Sequence, residues 1–269
     1  YPPQPITSQE ALAYGSECWR RGEEIEGIEF SYGDHVYQRL LVFEAEKPSG
    51  QVLLFWHGGA WMSGYKEWMS FMAPAFTASG IVFVSAGYRL APEHRFPAGL
   101  ADCANAVQWA HKNIGQYGGD PGRIIVGGHS AGGHYAALLA SNCSWTQQAG
   151  VPEDVIQGCL PLSGAFDFGP GSGRSVSPIF LGQDEKNKSL ASPLQRLQPP
   201  LASFLVAWGE HDFPHLIQQG QQFAAAVSKA GGRAVTLELP GRTHFSSSFA
   251  GGEVDGPWVP AALSFMKTI

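Results

Sequence analysis

Short apolar runs recur along this chain with amphipathic stretches between them, and that alternation limits the fold more than any other feature. The runs cover residues 36–43, 52–56, 81–85, 124–127, 158–162, 204–208 and 235–239, each of strand length. Helical spacing of apolar residues marks 68–78, 100–114, 131–141, 216–230 and 259–267. Most of the strand runs are apolar at successive positions, so both faces are expected to be covered. That is the condition of a parallel sheet with helices on each side. The predicted class is α/β: a mostly parallel central sheet flanked by helices on both faces. One connection differs. Residues 44–51 carry Pro48, Ser49 and Gly50 and suit an antiparallel pairing of the strands they join, which predicts a mixed sheet. Residues 167–200 are rich in Gly, Ser and Pro, and this predicts an excursion over the strand ends. With the N-terminal segment it is expected to form a cap or lid.

A length of 269 residues with 44% hydrophobic content suits one domain over residues 1–269, and no internal repeat or low-complexity tract divides it. A net charge of -6 with no dense basic run argues against nucleic acid or an anionic membrane as partner. No apolar run approaches the ~18 residues of a membrane span. Cys18, Cys103, Cys143 and Cys159 form no CxxC pair or metal-ligand spacing, so free thiols in a reducing compartment such as the cytoplasm are expected. The chain opens on Tyr1 and a proline-rich stretch rather than methionine, which leaves room for an upstream segment removed earlier.

The candidate chemistry begins at Gly128, His129, Ser130, Ala131 and Gly132. One serine stands between two glycines where a buried strand turns into a helix. A strained elbow of this kind exposes a nucleophile and leaves little room for a Cβ on either side. With 34 glycines, a GxSxG pattern alone would arise by chance in roughly one chain in three, so its context must decide. A serine hydroxyl needs an imidazole to take its proton and a carboxylate to orient that imidazole. After the strand at 204–208 come Gly209, Glu210, His211 and Asp212; after 235–239 come Pro240, Gly241, Arg242, Thr243 and His244. Asp212 is the assigned acid, with Glu210 its competitor in the same loop, and His244 is the assigned base. Their order along the chain, serine then acid then histidine, is that of the α/β-hydrolase fold. Following 52–56, His57, Gly58, Gly59, Ala60 and Trp61 form a turn whose N–H groups can face a developing oxyanion. Gly59 and Ala60 are the expected donors, with Ala131 from the elbow; His57 is expected to brace the loop and Trp61 to wall the substrate pocket. Phe213 and Phe245 adjoin the proposed acid and base. The histidines are not grouped with carboxylates at a metal-ligand spacing, so no metal or other cofactor is expected.

These segments resemble the α/β-hydrolases, in particular the hormone-sensitive-lipase-like esterases and the kynurenine formamidases. Tyr88 to Glu93 reads YRLAPE and Phe96 to Ala98 reads FPA, as in the lipase-like group; Ala191, Ser192, Pro193 and Leu194, then Pro199 and Pro200, are similar to both. The chain has Ala60 where the lipase-like group usually has a third glycine, and Trp61 is more similar to the formamidase HGGxW pattern. The cap implied by the 56 residues before His57 is reduced. The resemblance implies a serine hydrolase that cleaves small carboxylic esters through an acyl-enzyme. An arylformamidase or other amide or carbamate hydrolase is the alternative, and a non-catalytic binding protein of the same fold belongs to a different class. The expected partner is a small ester or amide with an apolar or aromatic group.

Overall fold

In a computed structural model, which describes residues 1–170, 172 and 177–269, the seven apolar runs and one further strand at 28–31 assemble into one eight-stranded sheet. Its strands are β1 (Ile28–Ser31), β2 (Arg39–Phe43), β3 (Gly50–Trp56), β4 (Val82–Ala86), β5 (Gly119–His129), β6 (Ile156–Leu162), β7 (Ser203–His211) and β8 (Ala234–Thr243), in the spatial order β1-β2-β4-β3-β5-β6-β7-β8. From β4 to β8 all pairings are parallel, while β1 with β2 and β2 with β4 are antiparallel. The mixed sheet was expected, but the partner was not. β2 lies against β4, so β4 separates it from β3. The 44–49 connection therefore passes over β4 instead of closing a hairpin. It is pinned there by Ser49 N–H donating to Gly80 O at 2.7 Å.

The helices are α1 (Gln9–Gly22), α2 (Ala73–Thr77), α3 (Ala98–Asn113), α4 (Ala131–Ser141), α5 (Ser144–Gln148), α6 (Ser177–Leu181), α7 (Lys186–Leu190), α8 (Pro214–Lys229), α9 (His244–Phe249) and α10 (Trp258–Met266). Strand side chains alternate between faces, and the core divides accordingly. Val52, Leu54, Trp56 and Val126 pack with Leu100, Tyr135 and Phe223 of α3, α4 and α8. Leu53, Phe55, Ile125 and Leu205 pack on the opposite face with Tyr14, Trp68, Phe76 and Trp258. At 66–72 the expected helix is a 3-10 turn that leads into the short α2. Of the expected excursion at 167–200, residues 171 and 173–176 lie outside the described residues; the remainder contains α6, α7 and a 3-10 turn at Pro193–Gln195. Among the described residues no helix is long and apolar enough to cross a membrane, and the four cysteines are free.

Candidate active site

Parallel strands put the loops after β3, β5, β7 and β8 along one edge of the sheet, where ligands bind in open α/β folds. At the end of β5 the chain turns into α4 through Ser130, held at φ 52°, ψ −112°, a backbone region that side chains rarely adopt. The flanking glycines make the turn possible. A Cβ on Gly128 would lie 2.2 Å from the Gly132 carbonyl carbon, and a Cβ on Gly132 would lie 2.2 Å from Trp56 O. The Ser130 N–H donates to Leu162 O of the neighbouring strand at 2.9 Å, which fixes the elbow.

Asp212 follows β7 and His244 opens α9 directly after β8. These two strands pair side by side, so their loops meet. His244 Nδ1 lies 2.8 Å from Asp212 Oδ1, and His244 Nε2 lies 2.9 Å from Ser130 Oγ. A carboxylate accepts, so Nδ1 carries the proton and Nε2 is left as the acceptor for the serine hydroxyl. Burial by itself would raise the Asp212 carboxyl, but its hydrogen bond to His244 and the attraction between their charges outweigh it. The net effect holds the group below the usual carboxylate range. Oδ1 also accepts from the Phe213 N–H at 2.7 Å. The competing carboxylate, Glu210, turns away: its Oε2 accepts from Gly241 N–H at 2.7 Å and braces the end of β8 that leads to His244.

A cavity of about 220 Å³ opens beside Ser130 and His244, with Gly59, Ala60, Phe213 and Phe245 among its walls. Gly59 at φ 121° and Ala60 at φ 52° shape the turn after β3. Ala131 is the first residue of α4, so its N–H has no partner within the helix. His57 stacks on Tyr88 with ring centroids 4.4 Å apart, and its Nδ1 lies 2.7 Å from Gly58 O. Its burial lowers the imidazole to a pKa of about 4. Trp61 is not brought to the cavity. At φ 62° the chain turns this side chain into the core, 1% exposed, where it stacks on Phe180 at 4.3 Å and donates from Nε1 to His134 Nδ1 at 3.0 Å.

Side chains that the sequence reading did not place in the site come chiefly from the N-terminal segment: Thr7, Ser8, Ala11 and Tyr14 line the same cavity, as does Trp68. A second cavity of about 240 Å³ shares Thr7, Ala11, Ser63 and Trp68 with the first, and it extends along α1 to Leu12, Trp19 and Tyr65. The sequence does contain a signal for α1. Ser8 caps the helix by accepting from the Ala11 N–H, and Tyr14, Gly15 and Cys18 form a buried face, but no motif ties that face to the elbow.

Residues 53–247 match a family described by its alpha/beta hydrolase fold, and the chain belongs to that family. Esterase LipC of Mycobacterium tuberculosis is 32% identical over 263 residues, covering 88% of this chain and 64% of that protein. The chain thus spans less than two thirds of LipC. Kynurenine formamidase of Salmo salar is 29% identical over 243 residues, with 88% of this chain and 80% of that protein covered. An esterase structure from Pyrobaculum calidifontis matches with a TM-score of 0.77 over 97% of this chain and 92% of that one, at 22% identity. This last likeness is one of fold.

Proposed function

We propose that the protein is a serine hydrolase that cleaves small carboxylic esters through an acyl-enzyme intermediate. The observation that carries this reading is the unbroken line from Asp212 Oδ1 through His244 to Ser130 Oγ, with bonds of 2.8 and 2.9 Å. Ser130 Oγ attacks the ester carbonyl carbon while His244 Nε2 takes its proton, and Asp212 stabilises the imidazolium that forms. Charge gathers on the carbonyl oxygen, for which the N–H groups of Gly59, Ala60 and Ala131 are the proposed donors. The loss of one such donor typically costs ~3 kcal/mol of transition-state stabilisation. The imidazolium then protonates the departing alcohol. Water, deprotonated by the same nitrogen, releases the acid and frees the serine. Nothing in this cycle calls for a cofactor.

The adjoining cavities support an ester with an apolar or aromatic group that extends from the reaction centre along α1, over Trp68 toward Tyr65 and Trp19. Arylformamidase activity is the second reading. It is favoured by the match to the kynurenine formamidase, which extends over 80% of that protein. A fluorophosphonate tests the mechanism. It is expected to label the wild-type protein at one serine and to leave Ser130→Ala unlabelled, whereas an inert wild type would favour a binding protein. Comparing turnover of p-nitrophenyl esters with that of N-formylkynurenine separates the two hydrolase readings.

A further inference from the structure

We propose that His129 and Tyr14 are positioning residues for the base: His129 holds the main chain of His244, and Tyr14 fixes the ring that does so. The proposal rests on the triad reading given above. His129 is the last residue of β5, next to Ser130 in the chain, and is 1% exposed. Its Nε2 lies 2.8 Å from the His244 carbonyl oxygen. A carbonyl only accepts, so Nε2 carries the proton and Nδ1 is an acceptor. The Tyr14 hydroxyl of α1 sits 3.2 Å from that Nδ1 and 2.9 Å from Ser248 Oγ of α9. Nucleophile strand, base helix and N-terminal helix therefore meet at one buried cluster of polar side chains.

Satisfying hydrogen-bond capacity does not explain why a histidine is here. The His244 carbonyl already accepts from Ser247 Oγ at 2.8 Å, and an apolar side chain at 129 would avoid burying a polar ring at all. What the imidazole adds is a fixed distance between the segment that carries Ser130 and the segment that carries His244. The 2.9 Å contact between those two depends on that distance, and a misplacement of about 1 Å costs on the order of a hundredfold in rate. The ring must also stay uncharged, because its centroid is 5.1 Å from that of His244. A cation there would oppose the imidazolium formed during attack. Burial supports this by lowering His129 to a pKa of about 3.

The test measures kcat and KM on a short p-nitrophenyl ester for Tyr14→Phe, His129→Ala and His129→Gln. Turnover is counted per serine labelled to completion by a fluorophosphonate, so that misfolded protein drops out. Glutamine carries an N–H the same number of bonds from Cβ as Nε2 of histidine. The expected result is a fall in kcat of roughly tenfold to a hundredfold in Tyr14→Phe and His129→Ala, with KM changed less than kcat. His129→Gln should recover most of the loss. The proposal is overturned if turnover per labelled serine stays within about twofold of wild type in the first two variants. It is also overturned if glutamine rescues no better than alanine. Failure of the wild type to label would instead remove the triad reading beneath it.

Discussion

At Ser130 the backbone is held in a conformation that few side chains tolerate, and the cost is accepted where the hydroxyl meets His244. Two carboxylates stand two positions apart at the end of β7, Glu210 within the strand and Asp212 just past it, yet only Asp212 reaches the imidazole. We therefore expect Asp212→Asn to lose roughly 10⁴-fold in kcat, because the wrong tautomer would face the serine, while Glu210→Gln changes the rate little. Steady-state kinetics on the two variants decides between them, and the opposite ranking would reassign the acid. The meeting of Ser130, Asp212 and His244 was legible from the chain because each follows the end of an apolar run. The roles of Tyr14 and His129 were not, since a hydroxyl to imidazole contact across 115 residues leaves no periodic trace. Trp61 was misplaced for a local reason: two consecutive positive φ angles, at Ala60 and Trp61, turn the indole beneath the loop instead of into the cavity.

Among the elements, the junction of β5 and α4 is the tightest. A methyl group on Gly132 would strike the Trp56 carbonyl oxygen, a backbone atom that cannot rotate away. Gly132→Ala is expected to cost roughly 2 kcal/mol or more and to lower Tm by about 5 °C or more, as thermal melting would show. Ala11 of α1 lies where the two cavities adjoin. Ala11→Phe should reduce kcat/KM for long-chain esters about tenfold and spare acetate; equal effects on both would place the substrate elsewhere. The inner parallel strands β3 to β7 were readable because burial on both faces leaves continuous apolar runs, whereas β8 at the far edge showed only the alternation of Val235, Leu237 and Leu239. β1 was not, since Glu29 and Ser31 interrupt its four residues and it lies at the sheet edge. Pairing order was beyond local reading as well: the composition of a loop shows that the chain turns, not which strand it passes on the way.

Across the whole molecule, burial lowers two of the enclosed imidazoles, His57 to about 4 and His129 to about 3. In the unfolded chain both titrate near the ordinary ~6.5. Between those values the unfolded state binds more protons, so stability is full above about pH 6.5 and declines as the pH falls. Each histidine contributes roughly 1.4 kcal/mol per pH unit in that interval. Urea midpoints at pH 7, 6 and 5 should decrease together, and His129→Gln should make the decline shallower; a flat profile would contradict the burial of these rings in neutral form. Tyr14 touches Ser248 at 2.9 Å across 234 positions of the chain. Closing a contact between such remote segments carries a loop-entropy cost that local helix formation does not. Enzymatic turnover should thus return behind the helical signal when denatured protein is diluted into buffer, which makes hydrolysis a reporter of that docking event.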